Sequence, residues 1–362
     1  MIKRKLKIVF IIPSLKAGGA ERVMSYVAQH IDRTIFNVTL LVIGYKKDCQ
    51  YQVDNIKVVF LNKPRVLKSI PNLFVFLFKN PPDIAISAIG HLNTVMGLLS
   101  IFFPTSKFVA REVNVNSVLK EYSENKPIKC FSLLSLISKK LIDKIVCQSN
   151  DMAKDMVLNF KVNPDKIIVI NNPITDNFKV KKEDHSLPKV FFKFITIGRL
   201  AKQKGHLRIL EVLKELDFPF HYTIIGDGPE KENIFDTAKK YGLSNYITHI
   251  PYTKNVEEYL VQSDVFLQGS YVEGFPNALL ESCAVGTPVI AFQAPGGIDE
   301  IITDGLNGFI ADSTVDYVNK IKLLTQNYQN WKPSVVRNSI YNKYNSNKIL
   351  KEYENLFVEI LN

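Results

Sequence analysis

Cysteine is scarce: Cys49, Cys130, Cys147 and Cys283 are the four in 362 residues. None forms a C-x-x-C pair and no histidine cluster accompanies them, which excludes the usual spacings of structural zinc and predicts a reduced, cytoplasmic protein. Long apolar runs are missing too. Residues 73–78 give six apolar side chains in a row, whereas a membrane-spanning helix needs roughly 20. The start of the chain is basic, but residues 8–13 are too short for the core of a secretory leader and no small-residue cleavage site follows. No Asp-x-Asp occurs, so a divalent metal held in that way is not expected. The Gly-x-Gly-x-x-Gly dinucleotide fingerprint is also absent. There is no low-complexity tract, and no repeat beyond two similar βα halves.

What remains is a globular composition. At 46% hydrophobic over 362 residues, the chain can fill two packed cores and is not disordered. The formal charge of +11 is unevenly placed. Residues 1–180 hold 26 Lys+Arg against 13 Asp+Glu, and residues 181–362 hold 20 against 22. A basic half suits an anionic membrane surface, a nucleic acid or a phosphorylated partner. A lysine-rich surface also simply keeps a chain in solution. No basic-aromatic module or groove-reading motif is present, which speaks against nucleic acid.

Residues 7–13 are a buried-strand run ending in Pro13; a glycine-rich loop and a helix over 21–31 follow. Strand, glycine loop, helix is the phosphate-facing unit of doubly wound folds. Gly18 and Gly19 let the backbone approach a ligand closely, and a plain tight turn fits the stretch equally well. Strands are predicted at 38–44, 56–61, 84–89, 107–112, 145–149 and 166–173. A helix over 63–80 covers the sheet, or dips Phe74, Phe76 and Phe78 with Lys63, Arg65, Lys68 and Lys79 into a lipid interface. His91 and Asn93 follow one strand, at the edge where open α/β sheets take ligands, and Arg111 and Glu112 end another.

Residues 175–189 are polar, with Lys179, Lys181, Lys182 and Lys189, and read as an interdomain linker. A second βα series opens at 191–197, ending in Gly198-Arg199-Leu200, with Lys204-Gly205 shortly after. Strands at 222–228, 247–251, 265–267, 288–292 and 308–311 follow. Residues 345–361 place Ile349, Tyr353, Leu356, Phe357 and Ile360 at helical spacing.

The most informative stretch is residues 270–288, SYVEGFPNALLESCAVGTP, with seven residues between Glu273 and Glu281. Gly274 and Pro276 break regular structure, and a helix starts near Asn277 and stops at Gly286 and Pro288. A helix start is a seat for an anion or a polar sugar. An isolated pair of acids at this spacing would be unremarkable on a protein surface. With its GFPNALLE core and downstream GTPVIA, the stretch resembles the E-x7-E signature of family four glycosyltransferases, retaining enzymes of the GT-B fold. Residues 198–205 resemble that family's G-R-L-x3-K-G element, residues 294–300 its G-G-x-x-E loop, and residues 18–22 a G-G-A-E-R segment common there.

That resemblance implies an α/β protein of two Rossmann-like doubly wound domains facing a cleft. Residues 1–175, joined by the C-terminal helix 345–362, would bind the acceptor, and residues 190–344 the nucleotide sugar. The implied reaction moves a hexose or N-acetylhexosamine, with retention, from a UDP-sugar to a glycan acceptor. A polyprenyl diphosphate-linked acceptor at the inner face of a bacterial membrane, in surface polysaccharide synthesis, fits the basic half. Arg199 and Lys204 would hold the donor diphosphate, Glu281 the ribose and Glu273 the sugar. Gly18, Gly19, Gly198, Gly274, Phe275, Pro276, Asn277 and Ala278 would line the donor. His91 would act at the reacting centre, with Asn93, Arg111 and Glu112 on the acceptor side. No cofactor and no metal are implied. A sugar-nucleotide epimerase that hydrolyses its donor, or a non-catalytic partner subunit, would share the fold; the intact acids and cations argue against the latter.

Overall fold

The computed structural model describes residues 4–16, 18–122, 129–175, 178–182 and 189–362. They divide into two compact units, Met1–Thr175 with Ser346–Asn362, and Asp176–Asn345.

The first unit is built on seven parallel strands: β1 (Leu6–Ile12), β2 (Phe36–Val42), β3 (Lys57–Phe60), β4 (Ile84–Ala88), β5 (Lys107–Arg111), β6 (Lys144–Cys147) and β7 (Ile167–Val169). Their order is β3-β2-β1-β4-β5-β6-β7. Parallel neighbours need crossovers, and helices supply them: α1 (Gly19–His30), α2 (Val66–Lys79), α3 (Gly90–Leu99), α4 (Asn116–Leu119), α5 (Lys129–Leu141) and α6 (Asn150–Leu158). β1 shows why its sequence is apolar throughout rather than alternating. Ile8, Phe10 and Ile12 point to one face and meet Val23 and Val27 of α1. Val9 and Ile11 point to the other and meet Leu73 and Leu77 of α2 and Leu92 and Met96 of α3. Each such side chain, once buried, contributes about 1.5–3 kcal/mol. Ser149 starts α6 as a cap, its Oγ accepting from the Met152 amide at 3.3 Å. The strand order reverses between β1 and β4, and the loops leaving those strands flank the opening.

The second unit repeats the plan with six parallel strands: β8 (Phe192–Ile197), β9 (Phe220–Ile225), β10 (Ile247–Ile250), β11 (Val265–Gln268), β12 (Val289–Phe292) and β13 (Gly308–Ala311). Their order, β10-β9-β8-β11-β12-β13, reverses between β8 and β11. The helices are α7 (His206–Leu213), α8 (Lys231–Lys240), α9 (Val256–Gln262), α10 (Asn277–Val285), α11 (Ile298–Ile301), α12 (Thr314–Gln326) and α13 (Pro333–Tyr344). Gly286 ends α10 at φ 89°, a left-handed position that suits glycine.

Part of the stretch read as a linker, residues 176–177 and 183–188, lies outside the described residues. Of the rest, Lys181 donates through its amide to Val285 O at 2.8 Å and through Nζ to Ser263 O at 2.8 Å. That segment is therefore tied to the second unit.

The last helix, α14 (Ser346–Glu359), belongs to the first unit. Tyr353, Leu356 and Phe357 complete the core on the α1 side of the sheet. The Phe357 ring stands edge-on to Phe10 at 6.0 Å and Phe36 at 6.1 Å. Among the described residues no helix is long and apolar enough to cross a membrane.

Candidate active site

In the second unit the loops after β8 and β11 leave neighbouring strands at the point of reversal. They approach so closely that a Cβ on Gly205 would strike the Gly269 carbonyl, and one on Gly269 the Gly205 carbonyl. Gly205 also takes φ 60°, ending the short turn Lys202–Lys204 and starting α7. This approach sets Lys204 against Glu273. The ammonium donates to both carboxylate oxygens, at 2.7 and 2.8 Å. Glu273 is only 6% exposed. Its Oε1 also accepts from Ser270 Oγ at 2.6 Å and Gln268 Nε2 at 3.2 Å. Its amide donates to Pro295 O at 2.9 Å, and Gly296, at φ 118°, lies against its backbone carbonyl. Gly296 and the Pro295 carbonyl therefore seat the backbone that carries this acid.

Arg199 is exposed on the loop that carries Lys204. Its carbonyl receives a hydrogen bond from His206 Nε2 at 3.2 Å. A carbonyl only accepts, so Nε2 bears the proton of a neutral ring. His206 Nδ1 is then a bare acceptor, buried and without a partner among the described residues. Burial pushes the pKa of this histidine down to about 4. Gly198 has room for a side chain. Glu281 is 7% exposed, one turn into α10. Gly274, Phe275 and Pro276 are buried, Phe275 lying edge-on to Tyr344 at 5.3 Å. Asn277 and Ala278 open α10, and no side chain caps that end.

In the first unit the expected residues part company. His91 reaches solvent near the start of α3, and partial burial lowers its pKa. Asn93, Arg111 and Glu112 are buried, which corrects the expectation that they face an acceptor. Asn93 Oδ1 accepts from Ser87 Oγ at 2.8 Å, and its amide group donates to Arg111 O at 3.0 Å. Arg111 donates to Tyr353 Oη at 3.1 Å and Asn172 Oδ1 at 2.5 Å. Its Nη1 has no partner among the described residues. Burial would raise the Glu112 pKa, but Lys139 at 2.8 Å and a hydrogen bond from Asn116 outweigh it and hold the carboxyl below the ordinary range. These three residues brace the sheet edge.

Gly18 and Gly19 stand at the start of α1. The Glu21 carboxylate folds back over Gly18, so the protein sets its own acid beside the start of α1. Burial raises the pKa of that acid. Sequence reasoning also passed over Gln268, Gly269, Ser270 and His206. Ser270 and Gln268, three and five residues before the acid, were the available signal.

The two open parallel sheets, with a paired lysine and glutamate at the reversal of the second, define a GT-B protein. Its solved neighbours include the Anabaena protein HepE in complex with UDP and glucose, with a TM-score of 0.81 at 16% identity over 98% of this chain and all of that one. Residues 177–342 match the family model described as Glycosyl transferases group 1. That match and the relatives it shares the class with make the chain a glycosyltransferase. A Campylobacter jejuni relative, an N-acetylgalactosamine-N,N'-diacetylbacillosaminyl-diphospho-undecaprenol 4-alpha-N-acetylgalactosaminyltransferase, is 26% identical over 84% of this chain and 86% of its own. An Escherichia coli relative, a UDP-Gal:alpha-D-GlcNAc-diphosphoundecaprenol alpha-1,3-galactosyltransferase, is 22% identical over 99% and 98%.

Proposed function

We propose that the protein transfers a hexose or N-acetylhexosamine, with retention, from a UDP-sugar to a polyprenyl diphosphate-linked glycan. The observation that carries this is the Lys204–Glu273 pair at the strand-order reversal, with Arg199 on the same loop. The leaving UDP gains negative charge as the glycosidic bond breaks. A cation held 4 Å from that charge is worth about 4 kcal/mol at an effective dielectric of 20, before the cost of removing water. Arg199, being exposed, supplies less. An ammonium has three N–H donors. Two of the Lys204 donors are directed at Glu273, and the third is assigned to the diphosphate. Glu273 Oε1 has three donors already, so Oε2 is the atom assigned to a sugar hydroxyl. Glu281 is assigned to the ribose. The names of the Campylobacter and Escherichia relatives support the lipid-linked acceptor, and those of the Escherichia relative and HepE support UDP. An enzyme meeting such an acceptor would work at the inner membrane surface.

The test is UDP calorimetry beside transfer from a panel of UDP-sugars. Arg199→Ala and Lys204→Ala weaken both readouts. Glu273→Ala lowers transfer by roughly 100-fold or more, the scale of one lost group that stabilises the transition state, and keeps UDP binding. Chelation with EDTA leaves turnover unchanged, since fixed cations take the leaving group's charge. Equal activity in all three variants would overturn the assignment. Rapid donor turnover without acceptor would favour the epimerase-hydrolase reading.

A further inference from the structure

The first unit holds a cavity of about 620 Å³ beyond the ends of β1, β2 and β3. That lies within the roughly 300–1,000 Å³ of small-molecule sites. Its charged lining is Lys16, Lys63 and Arg65 against one carboxylate, Asp48, and His91 stands in the same wall. Lys16 is paired with Asp48 at 3.7 Å. The Lys63 and Arg65 side chains have no ion-pair partner among the described residues. Two unpaired cations two residues apart therefore face one cavity. Nothing in the donor chemistry of the second unit uses them.

Leu67 also lines this cavity and is 64% exposed. From it an apolar stripe runs along the outer face of α2. Leu67, Pro71, Phe74 and Phe78 recur at helical spacing, and Phe78 is 72% exposed. Phe74 lies edge-on to Phe102 at 5.7 Å, which carries the stripe onto the exposed turn Ser100–Phe102 that follows α3. The opposite face of α2, with Val66, Leu73 and Leu77, is buried in the core. The stripe from Leu67 to Phe78 extends for about 16 Å along a flank of the helix, beside the exposed Lys68, Asn72 and Lys79. Phe74 is half-buried and also packs against the core, so Leu67 and Phe78 are the exposed ends of the stripe; Phe76, half-buried on the other side of the buried face, takes no part in it.

We propose that this cavity and stripe bind one amphiphilic ligand, an isoprenoid diphosphate: Lys63 and Arg65 take the diphosphate and the Leu67–Phe78 stripe takes the start of the tail. A diphosphate diester carries one negative charge on each phosphate, which matches two unpaired cations. An isoprenoid chain gains by covering exposed leucine and phenylalanine. A free phosphate would use the cations alone, and a neutral lipid the stripe alone. Their meeting at Leu67 points to a molecule with both parts. This rests on the proposed acceptor class and locates its head group.

Farnesyl diphosphate is the probe, with inorganic pyrophosphate and UDP as controls, measured by calorimetry on the full chain. The substituted residues lie at the surface or at the cavity wall, and circular dichroism checks the fold. Lys63→Ala with Arg65→Ala is expected to weaken farnesyl diphosphate and pyrophosphate alike by about tenfold or more. Leu67→Ser with Phe78→Ser is expected to weaken farnesyl diphosphate by about tenfold and leave pyrophosphate unchanged. UDP affinity stays the same in both. Equal farnesyl diphosphate binding in wild type and the Lys63/Arg65 variant would overturn the proposal. So would equal wild-type affinities for farnesyl diphosphate and pyrophosphate. Displacement of farnesyl diphosphate by phosphatidylglycerol vesicles would also overturn it, revealing a general lipid surface. Transfer to a glycan acceptor without diphosphate binding would sink this site and leave the enzyme reading standing. The expected variant losses without transfer to any diphosphate-linked glycan would uphold the site and sink the acceptor reading.

Discussion

His206 shows what one buried ring does to the pH response. With Nε2 donating to the Arg199 carbonyl and Nδ1 buried, a second proton would sit on a nitrogen with no acceptor among the described residues. Its folded pKa, about 4, is below the unfolded value near 6.5. The sign follows from linkage. The stabilisation is fully present above pH of about 6.5 and is lost as the pH falls toward the folded value, because the unfolded chain takes the proton first. The loss is on the order of 3 kcal/mol. Urea midpoints for the wild type should therefore fall between these two pH values. His206→Gln, which keeps an N–H for the carbonyl and cannot titrate, should show a flatter profile there. Parallel profiles would contradict the assignment. Single residues were unevenly legible. Lys204 and Glu273 were picked out by the motifs around them, and the structure brings the two together. Arg111 and Glu112 were misread because a sequence shows charge and not burial, and each found its partners far along the chain.

The loops after β8 and β11 act as one element because Gly205 and Gly269 leave space for each other's carbonyls. Gly269→Ala would drive a methyl into backbone that cannot rotate away. It should cost about 1–3 kcal/mol, the range for overpacking, and weaken UDP binding by shifting Lys204 away from the position assigned to the diphosphate. Gly198→Ala, where a methyl meets nothing within 4 Å, should not lose stability. Thermal unfolding and UDP calorimetry on both variants check the pair; equal stability would sink the argument. The strands were legible because buried parallel strands read as unbroken apolar runs, as at β1 and β12. Gly269 was not, since nothing local marks a glycine whose neighbour is 64 residues away. The outer stripe of α2 was hard to resolve for a related reason. The unbroken apolar run over 73–78 crosses from the buried face to the exposed one, so it does not say which of its side chains stay outside.

At the scale of the whole molecule, the path of the chain matters most. The first unit is made from both ends of the described sequence, and α14 supplies five buried side chains to it, among them Tyr353 and Phe357. Losing even one buried aromatic side chain costs about 3–5 kcal/mol. Arg111 would also lose its Tyr353 partner. Truncation after Asn345 should therefore abolish the unfolding transition of the first unit and leave UDP binding by the second intact, as calorimetry would report. Two unchanged transitions would refute this. During translation the order of events is set accordingly. The ribosome releases residues 176–345 with every strand of their sheet available, while the earlier half still waits for α14. The later-made unit can close first, and the nascent amino-terminal half keeps apolar surface open until α14 emerges.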